Sequence, residues 1–192
     1  HAEHAVSAAL EMQRKLEELD ELFKKKNWPE IHIGVGVNTG SMNVGDMGSK
    51  FRKAYTVLGD AVNLGSRLEA LTKSYHVKIL VGESTCKETE PLFLYRPIDR
   101  VKVKGKLTNT NIYEPIVLRQ EASAHWLDQV QLHQQAFEAY LHQKWGEAET
   151  FFKQLKEMDS NKDLYDLFLA RIAAYQKTPP PENWDGVWTP ST

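Results

Sequence analysis

Strand and helix periodicities alternate along the first part of this sequence, and after about residue 125 only helix periodicity remains. Residues 2–26 repeat apolar positions at helical spacing, and IHIGVGVNTG then alternates as a strand does, with Ile31, Ile33, Val35 and Val37 on one face. Two further short strands, a helix over about 61–74, a buried strand, a short helix and a hairpin follow. The order α-β-β-β-α-β-α-β-β predicts an α+β sheet domain at residues 1–118.

Residues 119–178 have a different character. Three helices fit, over 125–142, 145–157 and 163–175, with a short turn at Lys144–Gly146 between the first two. This layout resembles a tetratricopeptide unit, whose period is about 34 residues, but there is room for only about one and a half units. The helices are therefore expected to pack on the sheet domain or on each other. Residues 179–192 form a proline-rich tail that Trp184 and Trp188 are expected to pin to the body.

Composition excludes several classes of protein. The chain has 24 basic and 26 acidic residues and a net charge of -2, which gives no general reason to expect nucleic acid as a partner. Cys86 is the single cysteine, so a disulfide framework or a cysteine-rich zinc site within one chain is excluded. No apolar run approaches the ~20 residues that span a bilayer. Because the sequence opens within a helical pattern and without Met, we expect it to be a piece of a longer polypeptide.

The stretch AYTVLGDAVNLGSRLEALT, residues 54–72, carries the most specific polar pattern. A strand runs into Gly-Asp, Asp60 is a good helix N-cap, and leucines of the following helix form a buried stripe. Asn63 and Arg67 are four residues apart and project together from another face, near the positive end of the helix dipole. A guanidinium fork suits phosphate oxygens, and an amide suits a sugar hydroxyl. From the spacing alone the favoured interpretation is an exposed polar face on which Arg67 forms a surface ion pair.

A resemblance adds to this interpretation. Several motifs together resemble the second half of a class III nucleotide cyclase catalytic domain. They are IHIGVGVNTG, LGDAVNLGSRLEALT, RPIDRVKVKGK and IYEP. The similarity runs from about residue 2 to residue 118 and is strongest to the sensor-linked bacterial type. The tail sequence PPPENWDGVW also resembles the C-terminal ends of those cyclases. It implies a ferredoxin-like cyclase sheet domain, truncated at its N-terminus, followed by the tetratricopeptide-like helical segment.

The resemblance also implies roles for four residues. Asn63 matches the asparagine that orients the ribose, and Arg67 matches the arginine that stabilises charge on the α-phosphate. Lys104 matches the lysine that contacts the terminal phosphates; alternation places it on one strand face with Arg100, Lys102 and Lys106, a face that equally suits solvent. Thr56 matches the position that reads the purine, where threonine accompanies adenine, although threonine in a strand is also simply a residue that favours strands. The implied activity is an adenylate cyclase that converts ATP to 3′,5′-cyclic AMP and pyrophosphate, with GTP the less favoured substrate.

Family members hold two Mg or Mn ions on two aspartates, and those motifs would precede residue 1 of this sequence. Asp60 is better explained as a helix cap and Asp46 as a loop acid, so the sequence predicts no metal ligand in this chain. We therefore expect the isolated fragment to be inactive. The resemblance further implies a head-to-tail homodimer and the cytoplasmic portion of a membrane-anchored protein.

The alternative is a non-catalytic regulatory module. In that interpretation the cyclase-like part has lost its chemistry, and the helical segment docks a protein partner. The joint presence of Asn63, Arg67 and Lys104 favours the enzyme, because a module that only binds has no evident use for all three.

Overall fold

The computed structural model describes residues 1–49, 53–102, 109–159 and 161–188. The nine predicted elements of the sheet domain appear in the predicted order, and three helices follow them, which confirms the α+β class. The helices are α1 (Ala2–Lys25), α2 (Asp60–Tyr75), α3 (Glu83–Thr89), α4 (Ala124–Leu141), α5 (Trp145–Met158) and α6 (Lys162–Lys177). The strands are β1 (Val35–Val37), β2 (Asn43–Gly48), β3 (Lys53–Leu58), β4 (Ile79–Gly82), β5 (Phe93–Lys102) and β6 (Asn109–Leu118). Within these described ranges no helix is both long and apolar enough to cross a bilayer.

Four strands form one sheet in the order β1-β4-β6-β5, and β2 pairs with β3 in a separate hairpin. β1 runs parallel to β4, whereas β4, β6 and β5 are antiparallel neighbours. The predicted C-terminal hairpin is β5–β6, and irregularities in its register lie after Leu94 and after Pro97. The polar motif that the sequence singles out is on α2, which follows the small hairpin in the chain and precedes β4.

Helices cover both faces of the main sheet. On one face Val6 and Ala9 of α1 pack with Ile79, Val81 and Phe93 of the strands. On the other face α2 and the helical segment α4–α6 share a single core with the sheet. That core includes Leu68, Tyr75, Leu80, Ile98, Ile112, Phe137, Tyr140, Phe152, Tyr165 and Phe168. The segment of residues 119–178 thus packs directly on the sheet, one of the two arrangements expected from its sequence.

Glycine allows β1 to approach α2 at backbone distance. A Cβ added to Gly36 would lie 2.3 Å from the carbonyl oxygen of Gly65 and 2.4 Å from the backbone nitrogen of Glu69. Both obstacles are backbone atoms of α2, so no side-chain rotation could relieve the clash. The close approach that the glycines of this strand predict is therefore present.

The tail is pinned by aromatic rings, as predicted. The ring of Trp184 lies edge-on to Tyr140 and Tyr175, with centroids 5.4 and 5.1 Å away. Trp188 contacts the ring of Tyr175 at 5.0 Å and lies under the guanidinium of Arg171 at 5.2 Å. Residues 184–188 are thereby held against α4 and α6.

Several local predictions are wrong. β1 is only Val35–Val37 and Ile31 is exposed; within the described ranges, β1 pairs with three residues of β4. Asp60 does not cap α2. The N-cap is Gly59 without a side-chain cap, and Asp60 occupies the first turn, where its charge complements the helix dipole.

Two further predictions about single residues are also wrong. Asp46 lies in β2 opposite Tyr55 and not in a loop. Gly146 was predicted to lie in a turn, but α5 begins at Trp145 and includes it.

Candidate active site

The start of α2 is set by Gly59, which joins β3 to the helix. Gly59 has φ +154, a conformation that L side chains rarely adopt, and an added Cβ would lie 3.3 Å from the carbonyl oxygen of Ser41. Its carbonyl oxygen accepts hydrogen bonds from the backbone N–H groups of Val62 and Asn63, both at 3.1 Å. The chain therefore turns directly from the small hairpin into the helix that carries the candidate residues.

The loop after β1 holds this end of α2. The side-chain amide of Asn38 donates to the carbonyl oxygen of Ala61 at 3.0 Å. A Cβ added to Gly40 would lie 2.7 Å from Cβ of Ala61, so the loop lies directly on the first turn. The first turn of α2 is fixed by backbone and side-chain contacts before any ligand is present.

A buried cluster holds the other end of α2, and we call Tyr75, Asp99 and Arg171 the Tyr75 cluster. The Tyr75 hydroxyl donates to Oδ2 of Asp99 at 2.6 Å, and Nη1 of Arg171 donates to the same oxygen at 2.5 Å. Burial, reinforced by the charge of Asp99, raises the pKa of Tyr75 well above its usual value, so the hydroxyl stays a neutral donor. Burial disfavours the charged form of Arg171, but Asp99, Tyr75 and Tyr140 together outweigh that effect, so the pKa of Arg171 is raised.

Between these two ends, Asn63 and Arg67 are exposed on α2. Leu68 is fully buried and Leu64 and Leu71 are partly buried against the core, so the predicted leucine stripe faces inward. Neither Asn63 nor Arg67 makes a side-chain hydrogen bond or ion pair to another described residue. The surface ion pair that was the alternative for Arg67 is thus absent from the described part of the chain.

The other two predicted residues are placed less completely. Thr56 is half-buried on β3, opposite Gly45 of β2, and no hydrogen bond joins it to Asn63 or Arg67. Lys104, like Lys106, lies outside the described residues. On the same strand face, Arg100 is half-buried: its Nε donates to Oδ1 of Asn111 at 3.1 Å and its Nη1 to the carbonyl oxygen of Asp185 at 3.0 Å. Arg100 therefore serves to hold the tail and is not a free cation beside Lys102.

The acidic residues near this face do not fit a pair of divalent ions. Among the residues that the structure describes, no group of three or more His, Cys, Asp or Glu side chains could hold a metal ion. Asp60 and Asp46 are both exposed, on α2 and β2 respectively. Asp99, the acid of the PID sequence, is engaged with Tyr75 and Arg171 in the core.

A second buried cluster was missed by the sequence analysis, and we call it the Arg96 cluster: Arg96, Glu114, Asp159 and Tyr165. Nη1 of Arg96 donates to Oδ2 of Asp159 at 2.6 Å and to the Tyr165 hydroxyl at 2.7 Å, while Nη2 donates to Glu114 at 2.6 Å. Burial raises the pKa of Glu114 even with Arg96 beside it. The available signal was a charged residue at an inward strand position, YRPID, but its partners lie far along the chain.

Cys86 is buried in α3. Burial, together with the charges of Glu90 and Glu83, raises the pKa of its thiol to about 12. A protonated, enclosed thiol is a poor nucleophile, which agrees with the absence of any predicted role for it.

Comparison with known proteins decides the family. The family model for the adenylate and guanylate cyclase catalytic domain matches residues 1–129 of the 192. This chain belongs to that family. The matched region contains the whole sheet and α2, including every candidate site residue.

Curated relatives agree. Adenylate cyclase 1 of Rhizobium meliloti is 35% identical over 116 residues, which is 60% of this chain and 17% of that protein. The adenylate cyclase of Anabaena cylindrica is 40% identical over 120 residues, 57% of this chain and 23% of that protein. The terminal-differentiation specific adenylate cyclase of Dictyostelium discoideum is 32% identical over 179 residues, 91% of this chain and 8% of that protein. The chain thus spans less than a quarter of the length of each of these relatives.

Solved cyclase structures share the fold. The adenylyl cyclase CyaB from P. aeruginosa superposes with a TM-score of 0.54 and 28% identity, over 64% of this chain and 62% of that chain. The guanylyl cyclase Cya2 superposes with a TM-score of 0.51 and 26% identity, over 64% and 61% of the two chains. One of these structures is named an adenylyl cyclase and the other a guanylyl cyclase. The shared fold therefore does not distinguish ATP from GTP as the substrate.

Proposed function

We propose that this chain forms the nucleotide-binding and transition-state-binding half of an adenylate cyclase site. The reaction joins the ribose 3′-oxygen of ATP to the α-phosphorus and breaks the bond from that phosphorus to the bridging oxygen, so that pyrophosphate leaves. The single observation that carries the proposal is the pair Asn63 and Arg67: both are exposed, one helical turn apart, on a helix held at both ends, and both lack a partner among the described residues.

Arg67 is assigned to the developing charge on the α-phosphate. A permanently charged guanidinium fork with no carboxylate partner among the described residues has no ion pair to break when the transition state forms. Asn63, one turn nearer the helix N-terminus, is assigned to the ribose, because its amide can both donate to and accept from a hydroxyl. Lys104 is proposed to contact the terminal phosphates.

ATP is the proposed substrate in preference to GTP. The proposal relies on Thr56, which matches the purine-reading position, and on the adenylate cyclase names of the three curated relatives. Thr56 is half-buried on β3, two residues before the strand ends, so its hydroxyl is held on a regular strand close to the start of α2.

Two divalent ions, Mg or Mn, are proposed for the complete enzyme, with ligands that lie outside this chain. This agrees with the described residues, among which no group of three or more His, Cys, Asp or Glu side chains is arranged to hold a metal ion. We therefore propose that the 192-residue chain alone is inactive and that the full-length protein supplies the missing ligands. Attachment of the full-length protein to a membrane, with this portion on the cytoplasmic side, belongs to the same proposal.

A homodimer that assembles through the cyclase domain is also proposed. The small hairpin and the loop before it expose several large apolar side chains: Met42 44%, Val44 53%, Tyr55 76%, Val57 37% and Leu58 51%. An apolar surface of this kind beside α2 suits a second copy that completes the site.

The test is cyclic nucleotide formation by the full-length protein, assayed with Mn-ATP and Mn-GTP. Arg67→Ala is compared with Lys73→Ala, which removes an exposed cation from the last turn of the same helix. The proposal expects cyclic AMP from the parent and from Lys73→Ala, and a loss of about a hundredfold or more in kcat for Arg67→Ala. A parent that forms no cyclic nucleotide, or equal turnover in the two variants, would contradict it.

A further inference from the structure

We propose that the helical segment α4–α6 fixes the position of α2 through the Tyr75 cluster, and that Tyr75 and Arg171 are positioning residues for Arg67. This inference rests on the proposed function, since it concerns the helix to which the transition-state residues are assigned. It gives the helical segment a part in catalysis, whereas the sequence suggested a repeat-like segment that packs on the sheet domain or docks a protein partner.

The first step is the location of Tyr75 on α2. Tyr75 is the last residue of the helix and lies eight residues after Arg67, about 12 Å along the axis at 1.5 Å per residue. A helix of this length behaves as one rigid element, so a change of tilt at Tyr75 displaces the guanidinium of Arg67. Misplacement of a catalytic group by about 1 Å can cost as much as a hundredfold in rate.

The second step is the source of the contact. Arg171 lies on α6 and Asp99 on β5, so the Tyr75 hydroxyl is held where three elements meet. The guanidinium of Arg171 also lies over the ring of Tyr75, 5.4 Å from its centroid. Trp188 of the tail covers the guanidinium at 5.2 Å. The end of α2 is thus locked by the helical segment and the tail together.

A third contact lies one residue beyond the helix. His76 ends α2 in a left-handed conformation, with φ 55. The side-chain amide of Asn161, which caps α6, donates to the carbonyl oxygen of His76 at 2.7 Å. The N-terminus of α6 therefore holds the C-terminus of α2 directly, independently of the charged cluster.

The apolar surface of the helical segment supports the same view. Its large apolar side chains are mostly buried against the sheet and α2, and among its described residues Leu127 and Met158 are the exposed ones. The alignment with the Dictyostelium adenylate cyclase covers 91% of this chain, so it must extend through most of residues 119–178. In that relative, sequence similar to the helical segment accompanies the cyclase domain.

The two buried clusters provide a matched pair of variants. Tyr75→Phe and Tyr165→Phe each remove one buried hydroxyl from an Arg–Asp–Tyr arrangement between the helical segment and the sheet. Only Tyr75 belongs to α2. Both are made in the full-length protein, in the parent and in the Arg67→Ala background, and kcat, KM and amide hydrogen exchange of residues 60–75 are measured.

The proposal expects Tyr75→Phe to lower kcat about tenfold with little change in KM, and Tyr165→Phe to stay within about twofold. In the Arg67→Ala background Tyr75→Phe should cause almost no further loss, because both changes act through the same guanidinium. Amide hydrogen exchange of α2 should rise in Tyr75→Phe and should stay unchanged in Tyr165→Phe.

Equal kcat values for the two phenylalanine variants, or unchanged exchange of α2 in Tyr75→Phe, would overturn the inference. Full activity of Arg67→Ala would instead remove the proposed function, so the two failures are distinguishable. Amide exchange reports the local opening of α2 even in a preparation that forms no cyclic nucleotide.

Discussion

Arg96 and Asp159 lie 63 residues apart in sequence and form a buried ion pair of 2.6 Å between β5 and the loop before α6. The side chain of Arg96 is 4% exposed and that of Asp159 is 6% exposed. A pair so enclosed contributes little net stability when intact, because both charges have lost their hydration, but removing one partner leaves the other charge buried without compensation.

Arg96→Met is therefore expected to lower the free energy of unfolding by about 3–5 kcal/mol, because Asp159 and Glu114 would both lose their cation. Urea unfolding of the 192-residue chain measures this. The control is Arg14→Met, which breaks an exposed, solvent-screened pair with Glu11 and should leave the unfolding midpoint almost unchanged. Similar midpoints for the two variants would show that the Arg96 cluster does not join the helical segment to the sheet.

Gly36→Ala tests the close approach of β1 to α2. The new methyl group would meet backbone atoms of Gly65 and Glu69, so the strand must move and we expect a loss of about 1–3 kcal/mol. Gly45→Ala is the matched change, since a Cβ at Gly45 meets nothing within 4 Å. The same denaturant titration measures both, and equal stability of the two variants would mean that the backbones of β1 and α2 lie farther apart.

His133 should make the fold sensitive to acid. Its ring is enclosed by Phe152, Tyr165 and Phe168, and burial, together with the charge of Arg96, lowers the pKa of His133 to about 3 from 6.5. Because the folded pKa is depressed, the unfolded chain binds a proton first. This contribution to stability is complete above pH 6.5 and is lost progressively as the pH falls towards 3.

The difference between the parent and His133→Phe isolates this term from the titration of carboxylates. Phenylalanine keeps an aromatic ring in the cluster and cannot be protonated. Between pH 7 and pH 4.5 the parent should lose about 2–3 kcal/mol more than the variant in urea unfolding experiments. Parallel stability curves for the two proteins would indicate that His133 is not buried in its neutral form.

Much of the architecture follows from local patterns. The order of the elements, the leucine stripe of α2 and the contacts of Trp184 and Trp188 were all predictable, because periodicity and glycine spacing act over short distances. The pair Asn63 and Arg67 was also predictable, and the structure adds that neither has an intramolecular partner in the described residues. Their catalytic roles stay a prediction, as does that of Lys104.

The parts that were missed depend on contacts between distant residues. The extent of β1 is defined by its pairing with β4, more than 40 residues later, and α2 begins at the backbone turn of Gly59; propensities reveal neither. The sequence does not distinguish Asp99 from the other acidic residues. Its partners Tyr75 and Arg171 lie 24 residues before it and 72 residues after it. A charged residue in a strand indicates a buried cluster only when its partners are known.

The central claim is that the exposed face of α2 acts on the transition state, and the kcat of Arg67→Ala in the full-length protein with Mn-ATP tests it most directly. The account predicts that kcat falls about a hundredfold or more while KM for ATP changes little, because the guanidinium binds charge that develops only as the reaction proceeds. An Arg67→Ala protein that keeps its fold and the kcat of the parent would contradict it.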